Sequence, residues 1–341
     1  MIRIGVIGYG YWGPNLVRNF SELADTEVAA VCDRSAPRLA LAKKRNPAIS
    51  VVNDPTELWN DTSIDAVVIS TPVSTHYQLA KAALNAGKHL LLEKPMCGST
   101  DEACRLVDLA EAKRRVLLVD HTFAYTGAVR KMRDLIRSGD IGEIFYYDSV
   151  RINLGLFQSD VSVVWDLAVH DLAIMDYLLD RKPVAVACTG STHLPGGVPD
   201  VAYLTLFFSD TLIVHIHVNW LSPVKLRRTI IGGSRKMMVY DDLEPYEKVR
   251  VHDKGIVVAD QEELNRLRAV GYRSGDVWSP AVDMTEALRV EAKHFLGCIE
   301  GVERPITDGV AGLRVVRLLE SASQSLKAEG APMRLSEMAS V

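Results

Sequence analysis

The first 120 residues alternate short apolar runs with longer stretches in which apolar residues recur at helical spacing. The short runs predict buried strands at 2–7, 27–32, 65–70, 89–92 and 116–120. The stretches between them predict amphipathic helices at 14–24, 35–46, 74–86 and 99–114. Because strands that alternate with helices build a parallel sheet covered on both faces, this part of the chain is predicted to be a doubly wound α/β domain.

The pattern changes after Asp120. Helices are predicted at 126–138, 165–179, 282–300 and 308–329, and the stretch 254–281 has no clear pattern. Strands are predicted at 143–154, 183–192, 201–208, 211–221, 226–240 and 247–253. Long consecutive strands with tight turns favour an antiparallel sheet, so we expect a second α/β domain with a large, mostly antiparallel open sheet. The division is placed at 121/122, with residues 1–121 binding the cofactor and 122–341 serving substrate binding and oligomerisation.

Composition and charge exclude several classes of protein. With 48% hydrophobic and 24% charged residues, the chain is not of the disordered class. A net charge of −4 argues against nucleic-acid binding, and the apolar runs are far shorter than the ~20 residues of a membrane span. Its five cysteines form no CxxC pair, so we expect a reducing cytoplasm. We also expect no metal site, because His215 and His217 share a strand face without a third ligand at useful spacing.

A glycine-rich turn follows the first predicted strand and opens the first predicted helix. It reads Gly8-Tyr9-Gly10-Tyr11-Trp12-Gly13, the spacing that lets a backbone approach a pyrophosphate at a helix N-terminus. Asp33 ends the second strand, where a carboxylate accepts the ribose hydroxyls and repels a 2′-phosphate, which favours NAD over NADP. The neighbouring Arg34 could stack on the adenine or partly tolerate that phosphate. The alternative is a glycine-rich turn that binds no ligand.

Two further strand ends are predicted to reach the same edge of the sheet. In open α/β sheets ligands bind outside the carboxyl ends of the strands. The residues expected to line this cleft are Thr71, Pro72, His76, Glu93 and Lys94. A Glu-Lys pair at a strand end is, taken alone, more often a solvated turn.

A second candidate group lies in the helix predicted at 165–179. Asp166 and His170 are four residues apart and would share one face of an α-helix. Histidine titrates near neutrality and is the commonest general base, and a carboxylate one turn away could orient it. The alternative is a buried, hydrogen-bonded histidine with Asp171 as a surface charge.

Taken together, the glycine turn, Glu93-Lys94-Pro95 and Asp166-x-x-x-His170 resemble the glucose–fructose oxidoreductase/inositol dehydrogenase (Gfo/Idh/MocA) family along nearly the whole chain. The resemblance implies a Rossmann domain, an α/β domain with a large antiparallel sheet, and NAD(P)-dependent oxidation or reduction of sugar or cyclitol carbons. It implies that Lys94 is catalytic and positions the cofactor, and that Asp166 and His170 are catalytic. The chain departs from the family by carrying Ala168 and Ala173 where glycine and aspartate are frequent.

Three segments look like family members that oxidise carbon 3 of nucleotide-activated amino sugars such as UDP-N-acetylglucosamine or its uronate. They are Arg151-Ile-Asn-Leu-Gly155, Ser159-Asp-Val161 and Val164-Trp-Asp-Leu-Ala-Val-His170. Besides Lys94, Asp166 and His170, the expected substrate contacts are Arg151 and Asn153, which share a strand face and could instead merely fill it. The alternatives are a free-sugar or myo-inositol dehydrogenase and a non-catalytic NAD-sensing regulator. A homodimer or homotetramer is expected through the second domain.

Overall fold

The computed structural model of the protein describes residues 1–155, 161–195, 197–257 and 271–335, so Ser159 and Asp160 lie outside the described residues. The chain divides into two compact units. Unit 1 comprises Met1–Thr126 and Thr285–Glu320, and unit 2 comprises Gly127–Met284 and Ser321–Val341. The first division thus falls five residues after the predicted one at 121/122, and residues 285–320 belong to unit 1 rather than to the second domain.

Eight of the nine described α-helices were predicted from the sequence, and the short helix at Thr56–Asn60 was not. They are α1 (Gly13–Ser21), α2 (Ala36–Arg45), α3 (Thr56–Asn60), α4 (Val73–Asn85), α5 (Thr100–Lys113), α6 (Gly127–Arg137), α7 (Val169–Leu178), α8 (Ala287–Ile299) and α9 (Gly309–Lys327). The end signals in the sequence account for several boundaries. The Ser99 hydroxyl accepts the Glu102 N–H at 3.3 Å at the start of α5, and Gly87, just after α4, adopts a φ of +76° that favours glycine.

Unit 1 holds a parallel sheet, which confirms the predicted doubly wound fold. Its strands are β1 (Ile2–Ile7), β2 (Thr26–Cys32), β3 (Ser50–Val52), β4 (Ala66–Ile69), β5 (His89–Glu93) and β6 (Leu117–Asp120). Within the described residues the order is β3-β2-β1-β4-β5-β6. The order reverses between β1 and β4, which is the crevice where doubly wound sheets bind dinucleotides. The sequence pattern missed the short strand β3.

Residues 285–320 join unit 1 because α8 buries an apolar stripe there. Leu288 and Phe295 of α8 are almost fully buried, and the Phe295 ring meets Phe20 of α1 edge to face with 6.3 Å between centroids. Burial of a phenylalanine of this kind contributes about 1.5–3 kcal/mol. Helical spacing in the sequence predicted α8 correctly but contained no information about which sheet its stripe covers.

Unit 2 holds a mixed, mostly antiparallel sheet, again as predicted. Its strands are β7 (Ile144–Leu154), β8 (Ala185–Ser191), β9 (Val201–Phe207), β10 (Ile213–Asn219), β11 (Leu221–Gly233), β12 (Met237–Asp241), β13 (Val249–His252), β16 (Val277–Trp278) and β17 (Met333–Arg334). For the described residues the order is β16-β13-β12-β11-β7-β10-β9-β8-β17, with β7 and β10 parallel. A separate hairpin pairs β14 (Gly255–Val257) with β15 (Gly271–Arg273). In β10, Val214, Ile216 and Val218 are buried, as the alternation predicted.

Two boundaries in unit 2 differ from the predicted ones. The run predicted as a strand at 226–240 is two strands, because β11 ends at Gly233 and β12 begins at Met237. The helix predicted at 165–179 begins with a π turn at Val164–Ala168, and α-helical geometry starts at Val169. In the part of the chain that the structure describes, no helix is both long and apolar enough to cross a membrane.

Candidate functional site

The glycine-rich turn lies at the carboxyl end of β1 and opens α1. Gly8 has a φ of +95°, and a Cβ there would lie 2.4 Å from the Ser70 carbonyl oxygen. A Cβ on Gly13 would lie 2.1 Å from the Gly8 oxygen, so packing within the protein demands both glycines. Gly10 differs, because the nearest atom to its added Cβ would be Arg38 Nη1 at 3.7 Å. The open space at Gly10 fits the close backbone approach to a pyrophosphate that this turn provides in dinucleotide-binding proteins.

Two of the three aromatic residues of the turn, Tyr11 and Trp12, stack on each other. Tyr11 is 85% exposed, and its ring stacks on Trp12 with 6.4 Å between centroids. The Trp12 indole N–H donates to Asp120 Oδ2 at 3.1 Å, which ties the turn to the end of β6. An aromatic ring left in water beside a candidate cofactor site can cover a bound ligand. Asp120 was not among the sequence-predicted site residues, although it ends a strand at the same edge.

Asp33, at the end of β2, is braced for the role predicted from its position. Its Oδ2 accepts the Tyr9 backbone N–H at 2.7 Å, and its Oδ1 accepts the Ser35 N–H at 2.8 Å. The pair of backbone donors fixes the carboxylate beside the glycine turn, the position from which an acidic residue binds the ribose hydroxyls in dinucleotide-binding Rossmann folds. Arg34 is exposed, and Arg38 places its Nη1 3.7 Å from Asp33 Oδ2. The sequence pattern did not indicate Arg38, because it lies five residues after Asp33 and only the immediate neighbour Arg34 was considered.

His76 joins the ends of β4 and β5. It is 1% exposed, its Nε2 lies 2.8 Å from the Thr71 carbonyl oxygen, and its Nδ1 lies 3.0 Å from the Pro95 oxygen. Burial lowers the pKa of His76. Because both ring nitrogens contact backbone carbonyl oxygens, the ring connects the loops that follow β4 and β5. Pro72, in the first of these loops, is exposed.

Lys94 directly follows β5, which ends at the partly exposed Glu93. The Lys94 backbone N–H donates to Glu93 Oε2 at 3.0 Å, and the Lys94–Pro95 peptide bond is cis. Burial, and next the Asp120 carboxylate, raise the pKa of Glu93 well above its ordinary value. Glu291 of α8 is fully buried, and burial followed by Asp120 raises its pKa likewise. Nothing in the sequence pattern pointed to Glu291, because it lies on an otherwise apolar helix face.

In unit 2 the Asp166 and His170 segment is fixed to the sheet. Asp166 sits in the π turn, so the one-face argument from α-helical spacing does not apply to this pair. Its Oδ2 accepts the Trp220 indole N–H at 3.0 Å, and the Trp220 side chain is 1% exposed. His170 is partly exposed, whereas the next residue, Asp171, is 1% exposed. The interpretation of Asp171 as a surface charge is therefore wrong.

The two residues expected to reach the substrate from β7 lie in different environments. Arg151 is 3% exposed, and its Nε donates to Asp171 Oδ2 at 2.7 Å. Burial opposes the charge, but the Asp171 carboxylate outweighs it and raises the pKa of Arg151. Two of its donor nitrogens thus serve a carboxylate of the protein itself. Asn153 is partly exposed and donates from Nδ2 to the Leu154 oxygen at 3.0 Å.

The candidate residues form one group in each unit. Along the carboxyl edge of the unit 1 sheet lie Gly8, Gly10, Tyr11, Trp12, Gly13, Asp33, Thr71, Pro72, His76, Glu93 and Lys94. Around the start of α7 in unit 2 lie Arg151, Asp166 and His170. The first group fits a dinucleotide. In the second group the His170 imidazole lies on a segment that is hydrogen-bonded to the sheet through Asp166 and Asp171.

Comparison with known proteins agrees with this division. Residues 2–121 match the family model described as "Oxidoreductase family, NAD-binding Rossmann fold", and residues 129–239 match the "GFO/IDH/MocA C-terminal domain". The chain is 32% identical to the uncharacterized oxidoreductase YdgJ of Escherichia coli K12 over 262 residues, which cover 72% of this chain and 73% of the relative. It is 28% identical to the UDP-N-acetylglucosamine 3-dehydrogenase of Acidithiobacillus ferrooxidans, over 92% of this chain and 94% of the relative.

A solved structure shares the fold along nearly the full length. It is that of UDP-N-acetylglucosamine 3-dehydrogenase GnnA from Acidithiobacillus ferrooxidans, with a TM-score of 0.82 and 24% identity. The match covers 96% of this chain and 98% of the GnnA chain.

Proposed function

The chain belongs to the Gfo/Idh/MocA family of NAD-binding oxidoreductases, and from that premise we propose that it oxidises the carbon-3 hydroxyl of a nucleotide-activated amino sugar, or reduces the matching keto sugar. UDP-N-acetylglucosamine and its uronate are the proposed substrates. The observation that carries this choice is the match to a UDP-N-acetylglucosamine 3-dehydrogenase along 92% of the chain. Asp33 supports NAD rather than NADP as the cofactor, because its negative charge, held in place by two backbone N–H donors, repels a 2′-phosphate.

Bound NAD supplies the acceptor for the hydride that leaves the sugar carbon. His170 takes the hydroxyl proton, since a neutral imidazole carries an acceptor nitrogen. Lys94 donates a hydrogen bond to the oxygen as negative charge develops on it. The Asp166 carboxylate accepts the Trp220 indole N–H at 3.0 Å, and its negative charge orients the imidazole of His170. General base action of this kind contributes about 10²–10⁴-fold in rate, and a donor aimed at developing charge roughly 10²–10³-fold.

The substrate is tested by the formation of NADH from NAD. We expect turnover with UDP-N-acetylglucosamine or its uronate and none with free glucose or myo-inositol. Turnover of myo-inositol alone would instead identify a cyclitol dehydrogenase. NAD binding without turnover of any of these compounds would favour a regulator that senses the cofactor.

The catalytic roles are tested with Lys94→Met and His170→Asn. Each is expected to lower kcat by about 10²-fold or more, while the affinity for NADH stays within a few-fold for His170→Asn. A matched control for Lys94→Met is Lys44→Met, which removes an exposed lysine of α2 in unit 1 and leaves turnover unchanged. Near-normal kcat in both site variants would refute the mechanism. The alternative assignment exchanges the two roles, with Lys94 as the base. The pH profiles separate the two assignments, because loss of the base removes the acidic limb of kcat/KM.

We also propose a homodimer or homotetramer that forms through the unit 2 sheet. Large side chains stand exposed on neighbouring strands β9 and β10, among them Tyr203 (43%), Phe207 (37%) and Ile213 (47%). Adjacent apolar side chains left in water are typical of a surface that is covered in an assembly. Light scattering of the purified protein is expected to give a multiple of 37.6 kDa, and a monomeric mass would contradict the proposal.

The proposed compartment is the cytoplasm. The five cysteines, all within the described residues, are free thiols, and four of them are buried. Free thiols of this kind fit a reducing environment.

A further inference from the structure

Helix α7, which carries His170, is buried on nearly all sides. Five consecutive residues from Asp171 to Met175 are buried, which is more than one full turn. An amphipathic helix takes its rotation from its apolar stripe, and this signal is weak in α7, where buried residues cover most of the circumference. Burial of apolar area is non-directional, so a hydrogen-bonded contact adds a directional constraint on the rotation and axial position of α7.

The buried carboxylate of Asp171 supplies that contact. It accepts hydrogen bonds from Arg151 Nε at 2.7 Å, from Arg151 Nη2 at 3.3 Å and from Ser149 Oγ at 2.7 Å. Both donors belong to β7, and Ser149 is itself 3.3 Å from Thr229 Oγ1 of β11. A forked guanidinium–carboxylate pair is geometrically specific, so small rotations of the helix break it.

A second contact holds the chain just before His170. Trp220, which follows β10, donates to Asp166 in the π turn at 3.0 Å. His170 therefore lies between two carboxylates that are each anchored to the sheet. It is partly exposed, whereas Val169 and Asp171 on either side of it are buried.

We propose that the Arg151–Asp171 ion pair is a positioning device that sets the rotation of α7 and so aims the His170 imidazole. Arg151 and Asp171 are then positioning residues and not substrate contacts. The consequence for turnover rests on the proposed function of His170. The consequence for the environment of the ring does not, because it concerns the geometry of α7 alone.

A buried ion pair is a poor source of net stability, which makes a clean experiment possible. Replacement of both partners by apolar residues of similar volume is often neutral for stability, whereas removal of one leaves a buried charge and is strongly destabilising. The double variant Arg151→Met/Asp171→Leu is therefore the informative one. The matched control is Arg228→Met/Asp241→Leu, which removes the 2.8 Å pair between β11 and β12 of the same sheet.

The first readout is independent of substrate. In protein labelled at its histidine rings, the NMR signal of His170 is assigned by its absence in His170→Asn. We expect this signal to shift in Arg151→Met/Asp171→Leu and to stay in place in the control, with both variants folded by circular dichroism. An unmoved His170 signal in the folded double variant would overturn the proposal.

The second readout is kcat with UDP-N-acetylglucosamine and NAD. The double variant is expected to lose at least tenfold in kcat, with its dissociation constant for NADH within twofold of wild type. In the His170→Asn background the same two substitutions should have little further effect, because residues that act through one group are not additive. An equal loss in both backgrounds would refute positioning through His170. A shifted His170 signal with no turnover by the wild type would instead count against the proposed substrate and leave the geometric inference intact.

Discussion

Gly10 and Gly13 stand three residues apart in the same turn, yet the structure predicts opposite consequences for their substitution by alanine. At Gly10 the added Cβ has no neighbour closer than Arg38 Nη1 at 3.7 Å, which is ordinary van der Waals contact. At Gly13 it would lie 2.1 Å from the backbone oxygen of Gly8. Only the second substitution clashes within the protein itself.

The expected magnitudes follow from these distances. Gly10→Ala should change the free energy of unfolding by at most about 1 kcal/mol, and a gain of about 0.4–1 kcal/mol is expected where alanine fits the backbone, since it restricts the unfolded chain. Gly13→Ala must displace backbone and should cost about 1–3 kcal/mol or more. For cofactor binding, the methyl group that Gly10→Ala adds would occupy the space that we assign to the pyrophosphate. Loss of one hydrogen bond to a charged phosphate, about 1.5–3 kcal/mol, corresponds to roughly 10–100-fold in Kd.

Two measurements on the two variants separate stability from binding. Urea unfolding followed by circular dichroism gives the free energy of unfolding, and titration with NADH followed by fluorescence gives Kd. We expect Gly10→Ala to unfold like the wild type and to bind NADH at least tenfold more weakly, and Gly13→Ala to be clearly destabilised. If Gly10→Ala were normally folded and bound NADH within twofold of wild type, the assignment of this turn to the cofactor pyrophosphate would be refuted.

Three further substitutions probe unit 1. Asp33→Asn keeps an acceptor for the Tyr9 N–H but removes the charge that repels a 2′-phosphate. Because Arg38 lies nearby, the ratio of kcat/KM for NADP to kcat/KM for NAD should rise at least tenfold. An unchanged ratio would contradict the role of Asp33. Burial, and next Asp120, raise the pKa of Glu291, so folding takes up a proton above the unfolded pKa. The free energy of unfolding of the wild type therefore falls as pH rises above about 4.5. The loss is up to about 1.4 kcal/mol per pH unit until the pKa of the folded state is reached. Urea unfolding between pH 5 and 8 should therefore show a flatter dependence for Glu291→Gln, and equal slopes would disprove the assignment. Ser99→Ala removes the cap of α5 and should cost about 0.5–2 kcal/mol in the same assay without changing Kd for NADH, so an altered Kd would show that the cap reaches the cofactor site.

Much of the cofactor half was predictable because its signals are local. The glycine spacing, the capping serine and the position of Asp33 at a strand end each depend on a few neighbouring residues and on the geometry of one turn. The alternation of strands and helices then places several strand ends on one edge of a sheet. Lys94 follows β5 at that edge for the same reason. His76 lies in α4 and is 1% exposed, so it is buried rather than lining a cleft. Their roles toward cofactor and substrate are still predictions.

The hydrophobic periodicity predicted the two fold classes, most of the helices and strands and the ends of several parallel strands, because it reports which face of an element is buried. The packing of α8 in unit 1, the position of Glu291 beside Asp120 and the burial of Asp171 against Arg151 depend on contacts between distant parts of the chain. A charged residue in a sequence is expected at the surface, since burial of a charge is costly. A charged side chain is stable in the interior only when a residue of opposite charge pairs with it. Arg151 is twenty residues away from Asp171 in the sequence, and it lies on a strand whose packing against α7 depends on the whole fold.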